Sequence, residues 1–305
     1  MTRRRLQPVL ERHTERLRSA GVPSPEVDVR LLAAHVLGDD PGSPAAAAPT
    51  PERLEALDEL VSRRAERIPL QHLVGSTWFR HVQLVCRPGV FIPRPETEVV
   101  AGIAIDLARE LADPVAIEPC TGTGAIAAAL VAEVPNVTVA ATDQSTAAVS
   151  LATENLTRVA AGEAGVPKAS GAAWSVHQGD LFAPLPSGLR GGADVVVANP
   201  PYMPAGDRDG WEPEVAVHDP VAATVGGQDG HEVVRRVLAD ARSWLRDGGW
   251  LVLEIDERRG AETAARARDL GYRDVRVARD LTGADRVVVG QWGHSLDTEP
   301  EKEHA

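Results

Sequence analysis

Apolar residues recur at helical intervals through the first part of the chain: Leu6, Val9, Leu10, Leu17 and Val22, then Val27, Val29, Leu31, Leu32, Val36 and Leu37. Spacings of three and four line such residues along one helix face, so two helices are predicted, parted by Pro23-Ser24-Pro25. The Pro- and Ala-rich stretch from Gly42 to Pro51 is expected to be a loop, and Leu54, Leu57, Leu60 and Val61 mark a third helix over 52–66. The period then falls to two at Val82, Leu84 and Cys86. With Val90-Phe91-Ile92 beyond the Arg87-Pro88-Gly89 turn, this predicts a β-hairpin. From Val99 onward short apolar runs alternate with helical stretches. Strands are predicted at 115–117, 137–141, 194–198, 250–255 and 286–291, and helices at 124–134 and 145–159. Apolar strands alternating with helices indicate an α/β fold with a mostly parallel sheet covered on both faces. The expected division is a helical domain over 1–76, a β-hairpin linker over 77–93, a catalytic domain over 94–295 and a disordered acidic tail over 296–305.

Composition narrows the function. A chain of 305 residues suits one large domain with a smaller one, and 43% apolar with 25% charged residues is ordinary for a globular protein. The formal net charge of −12 weighs against a nucleic-acid partner, because gripping a phosphate backbone takes clustered Lys and Arg. Cys86 and Cys120 lie too far apart to suggest a disulfide framework or a zinc site, and the histidines show no ligand spacing, so no metal is expected. No apolar run approaches the roughly 20 residues of a membrane span, so the expected location is the cytoplasm and no membrane partner is expected.

Two stretches carry chemistry. Glu118-Pro119-Cys120-Thr121-Gly122-Thr123-Gly124 follows a strand and opens a helix, where a glycine-rich turn lets backbone approach a ligand closely. Asp143, with Gln144 after it, ends the next strand, where a carboxylate can take both ribose hydroxyls; capping the following helix is the other reading. Together the two features favour an adenosine-containing cofactor, and the missing third glycine disfavours NAD. Asp180, followed by Leu181, is a candidate for an adenine amine, with a surface turn as the alternative. The second stretch is Asn199-Pro200-Pro201-Tyr202, directly after a strand. Two prolines restrict the backbone, so the Asn199 side chain and the Pro200 carbonyl can present acceptor oxygens in one direction. That suits a substrate NH2 group held while its nitrogen faces an electrophile, with Tyr202 offering a face to stack on a flat group.

With these stretches in view, the chain resembles the protein-(glutamine-N5) methyltransferases that modify peptide chain release factors, the HemK-like family. The resemblance also covers Ile68-Pro69-Leu70-Gln71-His72-Leu73-Val74-Gly75, Phe91-Ile92-Pro93-Arg94-Pro95-Glu96-Thr97-Glu98, Gly179-Asp180-Leu181-Phe182 and Gly226-Gly227-Gln228-Asp229-Gly230. It implies a Rossmann-like class I methyltransferase fold with a small N-terminal helical domain for docking the substrate. It also implies S-adenosyl-L-methionine as cofactor and a glutamine of the release factor's Gly-Gly-Gln tripeptide as methyl acceptor. By the same likeness, Phe91 and Arg94 join Asn199, Pro200, Pro201 and Tyr202 around the substrate. The chain departs from the family pattern at Glu118-Pro119-Cys120, where many members have Asp, an aliphatic residue and Gly, and again at Met203-Pro204-Ala205-Gly206 and His218-Asp219-Pro220. Gly226-Gly227-Gln228 spells the tripeptide methylated in release factors, and is read here as the family's own loop.

Other acceptors stay open on the residues alone: a ribosomal-protein glutamine, a small-molecule amide or amine, or a nucleic-acid amine. From a different class, a cofactor-binding interaction module without catalysis would keep the glycine turn. The joint presence of Asp143, Asn199 and Tyr202 argues for an enzyme. Oligomeric state leaves no mark in the sequence.

Overall fold

The computed structural model describes residues 3–38, 49–166 and 170–293. Most of the loop expected from Gly42 and the whole of the tail over 296–305 lie outside the described residues. In chain order the elements are α1 (Arg3–Ser19), α2 (Pro25–Leu37), α3 (Pro51–Ala65), α4 (Leu70–Val74), β1 (Ser76–Phe79), β2 (Val82–Val85), α5 (Thr97–Arg109), β3 (Val115–Pro119), α6 (Ala125–Glu133) and β4 (Thr138–Asp143). There follow α7 (Thr146–Ala161), β5 (Ala173–Gln178), β6 (Ala193–Ala198), α8 (Pro213–His218), α9 (Val221–Thr224), α10 (Glu232–Ala241), β7 (Leu245–Glu254), α11 (Gly260–Asp269), β8 (Arg273–Arg279) and β9 (Asp285–Gln291). Among the described residues no helix is long and apolar enough to cross a membrane.

The chain divides into two compact units. The first gathers the described residues of Met1–Thr77 with Val85–Gly89 and Asp209–Asp219. Its core is Leu17, Val22, Val29, Leu32, Leu57 and Val61, the apolar faces whose spacing marked the first three helices. Pro25 and Pro51 open α2 and α3, where a missing N–H costs nothing. Beside this core the buried Arg64 donates to Asp28 at 2.7 Å and pairs with Glu214 at 2.7 Å, while Arg67 pairs with both Glu212 and Glu214. Burial pushes the Glu214 carboxyl up, but hydrogen bonds from Arg67 and Arg64 outweigh it and hold the group below the usual carboxylate range.

The hairpin differs from its expected form. β2 pairs with β1, and Val90-Phe91-Ile92 forms no strand. Arg80 takes a φ of 51°, which closes a tight turn after Phe79. Pro88, Pro93 and Pro95 remove three backbone donors that a strand after β2 would need.

The second unit, Trp78–Leu84 with Val90–Arg208 and Pro220–Ala305, is built on a seven-stranded sheet of order β5-β4-β3-β6-β7-β9-β8. The five strands from β5 to β7 run parallel, and β9 and β8 are antiparallel to their neighbours. The central strands β3, β4 and β6 are buried on both faces, which is why they are largely apolar instead of alternating. Val195 and Val197 of β6 pack in one core with α5 and α6, and Val196 and Ala198 face the other with Val234 and Leu238 of α10. Helix α6 is buried from Ala125 to Val131. β8 is an edge strand on β9 and alternates charged with apolar residues, so its sequence gives no apolar run.

Candidate active site

The strand order reverses direction between β3 and β6, which are neighbours in the sheet. In open α/β sheets ligands bind at the carboxyl ends of the strands at such a switch point. β3 leads into the glycine turn and β6 into Asn199, so the two candidate stretches flank that point.

The glycine turn is held from several sides. Thr121 N–H donates to the Thr142 carbonyl at 2.9 Å, and Asn155 Nδ2 donates to the Thr123 carbonyl at 2.9 Å. Glu118 lies beneath the turn, 2% exposed, and its Oε2 accepts from Thr121 Oγ1 at 2.7 Å and from Ala127 N–H at 3.0 Å. Burial pushes the Glu118 carboxyl up to about 8. Cys120, Gly122 and Gly124 all have left-handed backbone, with φ of 61°, 55° and 77°. An added Cβ at Gly124 would press on Ala152 of α7 at 3.0 Å, so glycine is required there for close packing of α6 on α7. Cys120 is the one non-glycine of the three, at a cost of roughly 1–2 kcal/mol. Burial raises its thiol well above the ordinary cysteine value, so the sulfur stays protonated.

Asp143 is tied to the turn rather than to a cap. Its Oδ2 accepts from Gly122 N–H and its Oδ1 from Ser145 N–H, both at 2.9 Å. The cap of α7 is Ser145, whose side chain accepts from Ala148 N–H. Gln144 is exposed beside it, and its carbonyl accepts from Gln178 Nε2 at 3.4 Å. Leu181 takes a left-handed φ of 46°, and its carbonyl accepts from Thr142 Oγ1 at 2.6 Å, which fixes the Asp180-Leu181 turn against β4. The Asp180 carboxylate pairs with Arg236 of α10 at 2.5 Å.

On the other side of the switch point, Asn199 Nδ2 donates to Thr97 Oγ1 at 3.0 Å. The Tyr202 hydroxyl donates to Glu254 Oε1 at 3.1 Å. Glu254 ends β7 and is 1% exposed; burial pushes its carboxyl up to about 7, against the hydrogen bond from Tyr202. Its Oε2 has no hydrogen-bond partner among the described residues. Burial raises the Tyr202 phenol far above its ordinary value, so it remains a neutral donor. Pro200 and Pro201 are buried, and the Arg94 guanidinium lies 4.9 Å over the Phe91 ring.

Residues 9–75 match the PrmC N-terminal domain family, and residues 105–210 match the methyltransferase small domain family. The release factor glutamine methyltransferase of Mycolicibacterium smegmatis is 44% identical over 289 residues, covering 93% of this chain and 96% of its own length. The chain belongs to the release factor glutamine methyltransferase family. A second member, from Deinococcus radiodurans, is 40% identical over 93% of this chain and 97% of its own length. The crystal structure of a methyltransferase from Pyrococcus furiosus shares the fold, with a TM-score of 0.50 at 20% identity over 76% of this chain and 100% of that one.

In this member of the family, the Gly226–Gly230 stretch backs the Asn199 turn. Gly226 N–H donates to the Met203 carbonyl at 3.0 Å, and Ala205 N–H donates to the Gly227 carbonyl at 3.1 Å. A Cβ on Gly230 would stand 2.5 Å from the Tyr202 carbonyl oxygen, and one on Gly226 would collide with the Pro201 carbonyl. Sequence reasoning nominated neither Thr97 nor Glu254 for the site. Glu254 carries a visible signal, a lone carboxylate inside the apolar run Leu251-Val252-Leu253-Glu254-Ile255. Thr97 carries none by itself, because its partner is 102 positions away.

Proposed function

We propose that the chain transfers a methyl group from S-adenosyl-L-methionine to the side-chain amide nitrogen, N5, of the glutamine in a release factor's Gly-Gly-Gln tripeptide. The observation that carries this reading is Asn199, whose Nδ2 is occupied by Thr97 so that Oδ1 is the atom left for a substrate N–H. The names of the relatives supply the substrate class, since both act as release factor glutamine methyltransferases.

The residues at the switch point fit the cofactor. A Cβ on Gly122 would meet nothing within 4 Å, so the turn leaves open space above it for a ligand to lie against backbone. Each Asp143 oxygen holds one backbone N–H and can accept a second proton, which suits a pair of ribose hydroxyls. Asp180 and Leu181 serve the adenine edge in this reading, with Arg236 holding the Asp180 carboxylate in place. When bound, S-adenosylmethionine supplies the methyl group as an electrophilic sulfonium carbon.

The chain's own residues then do the positioning. Asn199 Oδ1 and the Pro200 carbonyl accept the two amide protons, and this holds the nitrogen lone pair on the line of transfer. Tyr202 stacks on the flat amide while its hydroxyl stays tied to Glu254. Phe91 and Arg94 line the approach. The displaced amide proton passes to water. The helical unit serves as the docking surface for the release factor; Val27 and Leu31, four residues apart on α2, stand 45% and 43% exposed there.

The test is methyl transfer to purified release factor, read by mass spectrometry of its Gly-Gly-Gln peptide. One added methyl on that glutamine supports the reading. No gain from an enzyme that binds the cofactor would move the acceptor elsewhere.

A further inference from the structure

Among the described residues of the second unit, three large apolar side chains stand exposed: Trp78, Val221 and Leu281. Leu281 is the extreme case at 99%. An exposed leucine alone says little; its scaffold and its place say more. It tips the turn between β8 and β9, and that turn is held from within. Asp280, itself 7% exposed, accepts at Oδ1 from Thr282 N–H at 2.9 Å, from Thr282 Oγ1 at 2.6 Å and from Ala284 N–H at 3.1 Å. Its Oδ2 accepts from Arg286 Nε at 3.1 Å, and its own N–H donates to the Ala284 carbonyl at 2.9 Å. The neighbouring charges are paired, Arg279 with Asp285 and Arg286 with both Glu257 and Asp280, so the turn presents an apolar tip on a neutralised base. A turn held rigid before contact loses little freedom when a partner covers it.

Strand direction places this tip on the edge that carries the candidate site. β8 is antiparallel to β9, and β9 to β7, so β8 runs the same way as β7 and β6. The row Ala198, Leu253, Val288 and Val277 crosses the sheet from β6 to β8. Asn199 follows the first member of that row, and Leu281 comes four residues after the last. Three strand spacings separate them sideways, about 14 Å, and the turn stands roughly 10 Å beyond the row. A free amide or a lone glutamine seated at Asn199 falls short of Leu281, whereas about five extended residues cover the gap. Resting on the function proposed above, we infer that Leu281 is a docking point for the release factor, which meets it with apolar residues outside the Gly-Gly-Gln tripeptide. The same edge carries Val221, 47% exposed at the start of α9, and the last residue of that helix, Thr224, accepts from Met203 N–H at 3.0 Å. Such a rim favours a protein acceptor over a small one, because only a large substrate gains from the contact.

The test compares L281D, L281A and L281M with the wild type in steady-state methylation of purified release factor. Leu281 is almost wholly in solvent, so thermal unfolding and cofactor affinity stay at wild-type values in all three. L281A raises KM for release factor about tenfold, as loss of one apolar contact of this size does, and L281D raises it further, with kcat unchanged. L281M keeps the apolar bulk and restores KM. A wild-type KM in L281D would overturn the inference and leave the functional reading in place. A loss confined to kcat would overturn it too, since it would put the turn in the chemistry and not in docking. A wild type that binds cofactor and methylates no release factor would sink both, and that result is read before any variant is compared.

Discussion

Gly230→Ala isolates the backing of the Asn199 turn. Gly230 has a φ of 73°, and an added Cβ would stand 2.5 Å from the Tyr202 carbonyl oxygen, 2.7 Å from Pro204 N and 2.9 Å from the Met203 carbonyl carbon. All three are backbone atoms, so no side-chain rotation relieves the overlap. The left-handed backbone costs an alanine roughly 1–2 kcal/mol. Forcing a carbon into an occupied space costs a further 1–3 kcal/mol or so, giving about 2–5 kcal/mol at this loop. The structure relieves part of that by moving the Tyr202-Met203-Pro204 backbone away, and Asn199 moves with it. A displacement near 1 Å at a positioned group lowers transfer by about 10²-fold. Single-turnover kinetics read the rate, calorimetry the cofactor affinity and thermal unfolding the stability. The expected result is a rate lower by about 10² with unchanged cofactor affinity, because the glycine turn follows a different strand. A full rate at unchanged stability would refute the argument, and so would an equal loss of rate and affinity, which would place the damage elsewhere.

Three other substitutions bear on the site. Asn199→Ala removes the acceptor oxygen and should abolish transfer while cofactor affinity holds; an unaffected rate would take Asn199 out of the chemistry. Asp143→Ala should weaken cofactor binding by roughly 1.5–3 kcal/mol, as for a hydrogen bond to a charged group. Because Gly122 N–H also loses its acceptor, exchange at that amide should quicken even without cofactor. Glu118→Gln tests the buried carboxyl under the turn. Its pKa in the folded protein is raised from 4.5 to about 8, so the neutral form supports the fold. That support is complete below the unfolded value and is lost as pH rises through 8. Melting temperatures measured at pH 5 and pH 8.5 should therefore fall further in the wild type than in E118Q, and parallel falls would show that Glu118 does not titrate in this range.

The centre of the sheet was legible because its strands are buried on both faces, so stretches such as Val195-Val196-Val197 stand out against polar surroundings. The same rule hid β8, where Arg273, Arg276 and Arg279 punctuate an edge strand. The hairpin was legible as an alternation at Val82 and Leu84 but its partner was not, since Val90-Phe91-Ile92 is more apolar than Ser76–Phe79 and only the neighbouring prolines argue against it. At the site, the glycine turn and the Asn199 turn are contiguous in sequence and announce themselves. The groups that orient them are not contiguous: Thr97 reaches Asn199 across 102 positions, and Glu254 reaches Tyr202 across 52. Asp143 had two readings on sequence, and Ser145 settles the cap by taking it.

The carboxylates that pair with Arg67, and one of the two that pair with Arg64, come from residues 212 and 214, far along the chain from α3. For a breeder of chimeric enzymes this makes the helical unit a discontinuous inheritance. Exchanging α1–α4 with those of a relative brings in new arginine positions but keeps the old acidic segment. A recombinant that crosses over once, before the hairpin, would strand a buried guanidinium with half its counter-charge. Viable shuffling would need a second crossover around residues 209–219, so that the two pieces travel together.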